Sequence, residues 1–328
     1  MRAAADNRQL RGAGPDPKVS RSPRGSALTR LGLIGVPSSA GAHGPGQEKA
    51  PAALRQAGLL GALGEAGLTV DDLGDLPLVR FEPDARNRKQ QSVAQVAAVV
   101  DRVAGAVAAA RQRGLVPLIL GGDCTITVGV VAGLLRGQPD LGLIYFDGDA
   151  DLTTPDTTHS GIFDSMGVAH LIGDGAAELS RIGPRYPLLP EDRIALFGFH
   201  PYEIEPKEQR RLEASAMLRY PVTGLADRAI ELAAEARARL EQRSAAIAVH
   251  FDVDVMDSAE IPLADWPHYD ALSFGEAMRC LRVFTTSPKL AALVVTEINP
   301  DHDPEGLWIR QFVDAFSDAL RPVAAPVA

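Results

Sequence analysis

Cysteine is scarce in this sequence: only Cys124 and Cys280 occur among 328 residues. Two thiols cannot build a disulfide framework, so a reducing, cytoplasmic compartment is the simpler expectation. No apolar run approaches the roughly 20 residues needed to span a bilayer, and the charged start of the chain lacks the apolar core of a signal peptide. We therefore expect a cytoplasmic protein with no membrane partner.

Positive charge is also in short supply. Lys and Arg number 33 against 42 Asp and Glu, which gives a formal net charge of −9. A general phosphate-binding surface needs an excess of cationic side chains, so no nucleic-acid partner is expected. Hydrophobic residues make up 46% of the chain, which is enough for a sizeable core. This composition is typical of an enzyme or a relative of one.

The first residues differ in composition from the rest of the chain. Residues 1–28 are polar, basic and rich in Gly, Pro and Ser. Such a segment buries too little apolar surface to offset the entropy lost on ordering, which predicts a disordered basic tail. A basic arm that binds a partner is the alternative. Because no linker follows, residues 29–328 are interpreted as one domain.

Short, almost continuously apolar segments alternate with amphipathic segments from Leu31 onward. Such apolar runs are typical of strands covered on both faces, and the amphipathic segments predict helices. This alternation predicts a single-domain three-layer α/β/α sandwich with a mostly parallel sheet. The predicted strands are residues 31–36, 115–120, 141–147, 193–199, 245–252 and 290–297; the clearest predicted helices are residues 48–67, 92–114, about 227–241, 273–284 and 306–320.

Polar and acidic residues follow four of the predicted strands. The carboxyl ends of parallel strands meet at one edge of a sheet, where α/β proteins bind their ligands. We therefore expect these residues to converge. The segments are Gly121-Gly122-Asp123-Cys124, Asp147-Gly148-Asp149-Ala150-Asp151, Asp252-Val253-Asp254 and Glu297.

Five aspartates lie at the ends of two of these strands, and their closeness has an electrostatic consequence. Like charges a few ångströms apart repel and raise one another's pKa. Divalent cations are the usual compensation, since carboxylates can bridge them. The alternative is that the aspartates cap helices and stabilise turns. Five at the ends of two strands, with a Cys and a Glu at two others, favour a metal site.

Four segments carry a resemblance to a known family. GGDCTITVG, YFDGDADLTTPDTTHSGIFDSMG, HFDVDVMD and EINP look like the four signature blocks of the arginase/agmatinase (ureohydrolase) family, in the family's order and spacing. The resemblance covers roughly residues 30–322. It implies an α/β fold that holds two Mn²⁺ ions, assembles into homotrimers or homohexamers, and hydrolyses a guanidino or amidino group of a small molecule.

The resemblance also implies roles for individual residues. Asp147 and Asp252 would bridge two ions, and Glu297 would bind the guanidinium of the substrate and contribute to catalysis. A water between the ions would attack the guanidinium carbon, releasing urea or a urea derivative and an amine. The six implied metal ligands are Cys124 and Asp151 at one ion, Asp149 and Asp254 at the other, and the two bridging residues Asp147 and Asp252.

Two positions depart from the family's ligand pattern. The family normally has histidines where this chain has Cys124 and Asp149. Five carboxylates therefore face two divalent ions, which leaves a net charge of −1 with a neutral thiol and −2 with a thiolate. This excess should make a bound water less acidic. A thiolate ligand also favours Zn²⁺ or Fe²⁺ over Mn²⁺, so one or two ions of any of these metals are expected.

The loop after the first aspartate run contains further candidates. Asp164 stands where many arginases place a proton-shuttling histidine, and His159 on the same loop could replace it; a solvated surface histidine is the alternative. Asp149, Asp164, His159 and Glu297 are thus the candidate catalytic residues. Thr153 and Ser160 match positions that contact the α-carboxylate of amino-acid substrates in arginases.

The sequence does not identify the substrate. Ile162 replaces a polar residue of arginases, which argues against L-arginine as the best substrate. The exchange at Cys124 and the TTPDTT loop resemble a branch of hydroxyarginine amidinohydrolases, from which Asp149 departs. Trp266 and His268 lie in a loop that lines the substrate site in the family, with ordinary loop packing as the alternative.

The same exchanges leave a second function open. A family member that has lost both histidines could be catalytically degenerate, holding one ion or none and acting through ligand binding or assembly. The retained aspartates and Glu297 favour the hydrolase. The remaining histidines in apolar stretches, His170, His200 and His250, are expected to be buried and hydrogen-bonded rather than metal ligands.

Overall fold

Eight strands form one sheet in the computed structural model, which describes residues 30–322. The predicted tail, residues 1–28, lies outside the described residues and stays a prediction. All neighbouring strands are parallel, in the order β2-β1-β3-β8-β7-β4-β5-β6. The strands are β1 (Arg30–Gly35), β2 (Thr69–Asp75), β3 (Val116–Leu120), β4 (Leu141–Phe146), β5 (Ile194–Phe197), β6 (Leu218–Tyr220), β7 (Ala246–Asp252) and β8 (Leu290–Thr296).

Helices connect the strands, as parallel strands require. Short 3₁₀ turns supplement them, among them one at Asp164–Met166 and one at Val253–Val255 beside the predicted site. The helices are α1 (Ala50–Gln56), α2 (Leu59–Glu65), α3 (Val93–Gln112), α4 (Ile126–Leu135), α5 (Gly167–Leu171), α6 (Ala177–Ser180), α7 (Pro206–Glu213), α8 (Ala229–Arg243), α9 (Phe274–Thr285) and α10 (Leu307–Ala319).

Two apolar layers cover the two faces of the sheet. Alternate residues of a strand point to opposite faces, so Leu118 and Leu120 of β3 join one buried cluster and Ile119 joins the other. The first cluster includes residues of α1, α2, α8, α9 and α10, and the second includes residues of α3, α4, α5 and α6. The predicted three-layer α/β/α sandwich is therefore confirmed, with a sheet that is entirely parallel.

The structure corrects the prediction at the edges of the sheet. The two outermost strands, β2 and β6, were not predicted, because edge strands need no continuous apolar run. β2 has the sequence TVDDLGD and is mostly exposed. The predicted helix 48–67 divides into α1 and α2 at Gly58, whose φ of 91° lies in the left-handed region that ends a helix.

One helix among the described residues is long and apolar enough to cross a membrane, by length and composition alone. It is α3, with a mean hydropathy of 1.5 over its most apolar window. The expectation that no segment reaches this length is therefore corrected. α3 contains Asp101 and Arg102 and packs seven buried residues, from Val96 to Ala110, into the second apolar cluster against α4.

Gly129 and Gly133 of α4 permit this close helix packing. A Cβ atom at Gly129 would lie 2.5 Å from the Val100 carbonyl oxygen, and one at Gly133 would lie 2.5 Å from the Ala104 carbonyl oxygen. We predict that Gly129→Ala destabilises the fold by about 1–3 kcal/mol, because backbone atoms cannot yield as a flexible side chain can.

A matched control lies on the partner helix. Gly105 of α3 has open space where a Cβ would stand, so Gly105→Ala should stabilise the protein by up to about 1 kcal/mol through helix propensity alone. Urea unfolding of both variants measures the difference. Equal stability of the two variants would show that α3 and α4 pack less closely than described.

Candidate metal centre and active-site cavity

The four central strands deliver the predicted site residues to one place. β3, β8, β7 and β4 are consecutive neighbours in the sheet, and their carboxyl ends share one edge. Cys124 follows β3, Glu297 follows β8, Asp252 ends β7 and Asp147 follows β4. All four side chains are buried. The expected convergence of these strand ends is therefore present.

A cavity of about 280 Å³ opens at this edge of the sheet. It contains all the site candidates predicted from the sequence except His268, which is buried behind its wall. The candidates that line it are Cys124, Asp147, Asp149, Asp151, Thr153, His159, Ser160, Asp164, Asp252, Asp254, Trp266 and Glu297.

The first group of side chains that could hold a metal ion consists of Cys124, Asp147, His250 and Asp252. The Cys124 sulfur lies 2.7 Å from Asp252 Oδ2, 3.8 Å from Asp147 Oδ2 and 3.6 Å from His250 Nε2. His250 Nε2 is 3.0 Å from Asp147 Oδ2. All four side chains are buried, so one sulfur, one nitrogen and two carboxylates face a common point.

Asp151 is a neighbour of this group but is not one of its members. The Tyr145 hydroxyl donates a hydrogen bond to Asp151 Oδ2, and Asp151 adopts a left-handed φ of 47°. The Tyr145 ring stacks on His250, with 4.0 Å between ring centroids and 9° between planes. Tyr145 therefore holds two side chains in place: Asp151, which the resemblance assigns to this ion, and His250, which contacts Cys124.

The second group consists of Asp149, Asp254 and His268. His268 Nε2 lies 3.5 Å from Asp149 Oδ2 and 3.7 Å from Asp254 Oδ2. Its other ring nitrogen, Nδ1, is 3.3 Å from Glu203 Oε2, and its ring stacks on that of His200. His268 Nε2 thus faces the carboxylates of Asp149 and Asp254. The sequence analysis had instead expected this residue to line the substrate site.

Burial gives these carboxyl groups unusual protonation behaviour. Desolvation, with repulsion between neighbouring carboxylates, holds the pKa of Asp147, Asp151 and Asp254 well above its ordinary value. Burial also raises the pKa of Asp252 to about 7. No Lys or Arg forms a salt bridge with any of these residues within the described part of the chain. A divalent cation fits a donor set with this deficit of positive charge.

The histidines in the two groups respond to their surroundings in opposite directions. Burial lowers the pKa of His250 to about 3, so its imidazole is neutral and carries a free lone pair. Burial also lowers that of His268, but the nearby carboxylates Asp149 and Asp254 outweigh it and raise the pKa to about 9. A metal at the second group would therefore displace a proton from His268 on binding.

Asp164 and Glu297 form a third group with the backbone of Cys124. The Cys124 amide donates to Asp164 Oδ1 at 2.9 Å and to Glu297 Oε1 at 3.0 Å. Gln47 donates to the second Glu297 oxygen. Burial and the charge of Asp123 raise the pKa of Asp164 to about 8, and burial with the charge of Asp164 raises that of Glu297. The two carboxyl groups can thus share a proton at neutral pH.

The outer cavity is formed by the loop from Thr153 to Ser160 and by the segment before α7. Thr157 donates to the buried Glu208 at 3.0 Å, which ties the loop to α7. His159 is exposed at the opening. Trp266, 56% exposed, stacks against His43 with 6.0 Å between ring centroids. The mouth is therefore aromatic on one side and acidic on the other.

The sequence analysis missed several residues of the site. His250 stands two residues before Asp252 on β7, and Tyr145 two residues before Asp147, so each pair shares one face of its strand. This spacing of two residues could have indicated from the sequence that His250 and Tyr145 lie beside the aspartates. Gln47 precedes α1, far from the motifs in sequence, and only the fold brings it to Glu297.

Comparison with known proteins agrees with this architecture. A sequence model of the Arginase family matches residues 29–316. Arginase-1 of Mus musculus is 30% identical over 276 residues, which is 82% of this chain and 84% of that protein. Arginase of Bacillus caldovelox is 28% identical over 278 residues, covering 82% of this chain and 91% of that protein.

Solved structures share the fold. The native structure of the Bacillus caldovelox arginase superposes with a TM-score of 0.81 at 24% identity, covering 89% of this chain and 98% of the other. Formimidoylglutamase from Bacillus subtilis superposes with a TM-score of 0.70 at 18% identity and 95% coverage of both chains.

The parallel sheet and the acidic centre at its carboxyl edge define an α/β protein with a candidate metal site. The chain belongs to the arginase family. Membership supports metal-dependent hydrolysis of guanidino C–N bonds as the general activity, and the candidate ligand groups described above agree with metal binding.

Proposed function

We propose that this protein hydrolyses the C–N bond of a small cationic guanidino compound, releasing urea or a urea derivative and an amine. One observation carries the proposal. Two groups of side chains that could hold a metal, buried except for the half-buried Asp149, line or adjoin the same cavity as Glu297, a carboxylate suited to a guanidinium. Carboxylate and guanidinium have matching bidentate geometry.

Divalent ions held by the two groups would supply the nucleophile in this proposal. Divalent ions lower the pKa of water and orient it for attack on an electrophilic carbon. The residues that would hold them are those of the two groups, which leaves Glu297 and Asp164 free to act on the substrate. Manganese is the expected metal from the family resemblance, with zinc or iron favoured at the site of Cys124.

Glu297 and Asp164 have different roles in this proposal: Glu297 binds the guanidinium and Asp164 donates a proton. Glu297 can accept hydrogen bonds from the guanidinium, since its oxygens are already aligned by the Cys124 amide and by Gln47. Asp164 retains its proton near neutral pH, because burial raises its pKa to about 8. The amine that leaves the guanidinium carbon needs a proton, and Asp164 is the group that can donate it. His159 at the opening can exchange protons with solvent.

The charge of the cavity narrows the substrate class. Glu203, Glu205 and Glu208 border the mouth, and neither Lys nor Arg lines the cavity in the described part of the chain. A carboxylate at the far end of the substrate would meet these glutamates, whereas an ammonium would be attracted to them. We therefore favour a guanidino-amine over an amino acid such as arginine, although Thr153 and Ser160 remain available for hydrogen bonds.

A urea-release assay tests the proposal. Protein purified without chelator and loaded with Mn²⁺ or Zn²⁺ is offered guanidino-amines, L-arginine, N-hydroxy-L-arginine and guanidino-carboxylates at matched chain length. We expect the highest kcat/KM with a guanidino-amine, by roughly tenfold or more, which corresponds to about 1.4 kcal/mol. Metal-loaded protein that releases urea or hydroxyurea from none of them would contradict the proposal.

The acidic mouth yields a prediction of its own. Glu205→Gln removes an exposed negative charge at the opening, so KM for a cationic substrate should rise about two- to fivefold with kcat unchanged. The effect should fade in high salt, because exposed charges are screened.

Glu65→Gln is the matched control for this variant. Glu65 is also exposed but lies on α2, which does not line the cavity. Steady-state kinetics at low and high ionic strength provide the measurement. If the two variants have the same KM, the mouth does not select for positive charge.

A second candidate function has a specific observation in its favour. Cys124 and Asp149 stand where the family normally has histidines, and such exchanges can abolish catalysis while preserving the fold. In that case the chain would be a non-catalytic protein that binds a metal or a guanidino ligand. Metal binding without turnover in the urea-release assay would favour this alternative.

Assembly and location are further proposals. We infer a homotrimer or homohexamer in the cytoplasm from the family resemblance and the low cysteine content. Light scattering on the purified full-length chain measures the number of subunits. A monomer at micromolar concentration would contradict the oligomer.

A further inference from the structure

The two motif positions that lack the family's histidines each lie next to an imidazole from elsewhere in the chain. His250 of β7 reaches the group around Cys124, and His268 of the loop after β7 reaches the group around Asp149. We propose that His250 and His268 supply the nitrogen ligands of the metal centre, one to each ion. The inference rests on the proposed function only in taking divalent ions as the occupants of this centre.

His250 is held as a metal ligand needs to be held. Thr127 Oγ1 lies 2.7 Å from Nδ1, and the Tyr145 ring stacks flat on the imidazole. When Nδ1–H donates to Thr127 Oγ1, the lone pair of the neutral ring lies on Nε2 and that nitrogen is free for a metal. The free nitrogen, Nε2, is the atom that faces the sulfur and carboxylate oxygens of the first group.

The spacing of the donors in the first group suits a small ion. Ligands at about 2.0–2.3 Å from a tetrahedral zinc ion are about 3.3–3.8 Å apart. Two of the four spacings lie in this range: His250 Nε2 is 3.6 Å from the Cys124 sulfur, and the sulfur is 3.8 Å from Asp147 Oδ2. The other two are hydrogen-bond distances that would lengthen around an ion, namely 3.0 Å from His250 Nε2 to Asp147 Oδ2 and 2.7 Å from the sulfur to Asp252 Oδ2. Burial and the charges of Asp252 and Asp147 raise the pKa of the Cys124 thiol, so an ion would have to displace its proton on binding. The resulting thiolate, one imidazole and two carboxylates would form a mixed donor set of the kind that favours Zn²⁺.

His268 shows the same arrangement at the second group. Its side chain is completely buried, and neither ring nitrogen makes a hydrogen bond of normal geometry among the described residues. Nε2 lies within 4 Å of both Asp149 and Asp254, while Nδ1 faces Glu203 at 3.3 Å. A carboxylate behind the imidazole and two in front of it match the carboxylate–histidine–metal pattern.

A ligand role for His250 explains why Asp151 is not a member of the first group. With His250 as fourth ligand, the first ion no longer needs the Asp151 carboxylate, whose Oδ2 accepts the hydrogen bond of Tyr145. Each ion regains one neutral imidazole, so the centre keeps two nitrogen ligands although the motif positions carry none.

X-ray absorption at the zinc edge tests the inference on the full-length wild-type protein. None of the implied motif ligands is a histidine, so bound zinc should show no imidazole scattering if those residues alone hold it. Our proposal predicts about one imidazole per zinc, with one sulfur at about 2.3 Å for every two zinc ions. Two bound zinc ions without imidazole scattering would overturn the proposal, and this measurement needs no variant.

Variants separate the two sites. His250→Gln should weaken one of two zinc sites by at least about 100-fold and remove the sulfur scattering with it. His268→Gln should weaken the other site and leave the sulfur in place. His170→Gln is the matched control, because His170 is equally buried but bonds the Met166 carbonyl away from the centre. It should keep both ions.

The outcomes distinguish this inference from the proposed function. Unchanged zinc stoichiometry and affinity in both His250→Gln and His268→Gln would overturn the ligand assignment, whatever the activity. Imidazole-bound zinc in a protein that releases no urea would support the assignment and contradict the hydrolase. Far-ultraviolet circular dichroism on each variant confirms that a lost ion is not a lost fold.

Discussion

Exchanging Asp147 and Asp252 together for asparagine should abolish divalent-metal binding and, with it, hydrolysis of guanidino compounds. Both side chains belong to the first group, and the family resemblance implies that they would bridge two ions. An amide cannot bridge two cations as a carboxylate does, and the charge that attracts the ions falls by two. We expect zinc or manganese content to drop from up to two ions per chain to none.

The same variant should not unfold. Asp147 and Asp252 are buried carboxyl groups whose neighbours raise their pKa, so their exchange relieves repulsion in the metal-free protein. Without metal at pH 8, the variant should therefore be at least as stable as the wild type. Elemental analysis after dialysis and urea unfolding in chelator measure the two effects.

A control with the same change in net charge exists on the surface. Asp101 of α3 and Asp314 of α10 are exposed, so Asp101→Asn with Asp314→Asn should leave metal content and activity unchanged. If Asp147→Asn with Asp252→Asn keeps the wild-type metal stoichiometry, the acidic centre is not the metal site.

The sheet could be predicted because its central strands are buried on both faces. β3, β4, β7 and β8 are almost continuously apolar up to the residue at which they turn polar, with His250 of β7 as an exception, so both their length and their carboxyl ends are visible in the sequence. β2 and β6 lie at the edges, where one neighbouring strand is absent and solvent permits polar residues. Their sequences, TVDDLGD and LRY, contain no such signal.

The sequence predicts only those site residues that lie at or near the ends of the central strands. Four residues lie at or shortly after the ends of neighbouring strands, so topology alone brings them together: Cys124, Asp147, Asp252 and Glu297. His268 lies on a loop well after β7, and nothing in its spacing shows that the loop folds back beneath Asp149.

The function of buried polar residues depends on orientation, which sequence patterns do not encode. Burial and hydrogen bonding of His250 were expected and are present. The orientation of its Nε2 towards Cys124 depends on Thr127 and Tyr145, which lie on α4 and β4. Three elements must be assembled before this imidazole can be recognised as a candidate ligand.

The metal-free protein should lose stability as the pH rises from about 4 to about 8. In the unfolded chain, aspartates ionise near pH 4. In the folded protein, burial raises the pKa of Asp252 to about 7 and that of Asp164 to about 8. Between these values these carboxyl groups bind more protons in the folded state than in the unfolded state, so each rise in pH favours unfolding. Buried His170 and His250, with pKa values of about 4 and 3, oppose this trend below about pH 6.5, but the buried carboxyl groups with a raised pKa outnumber them. Below about pH 4 both states are protonated, and this contribution to stability is fully present.

The expected slope is about 1.4 kcal/mol per pH unit for each proton that the folded state retains. A bound ion should reverse the trend, because Zn²⁺ or Mn²⁺ binds deprotonated carboxylates and a thiolate, so its stabilising effect grows with pH. Urea unfolding at pH 5, 6, 7 and 8, in chelator and in saturating metal, provides both curves. Asp164→Asn should flatten the chelator curve above pH 6, since the group that titrates at about 8 is gone. A metal-free protein that is more stable at pH 8 than at pH 5 would show that these carboxyl groups are ionised in the fold, with a cationic partner near them.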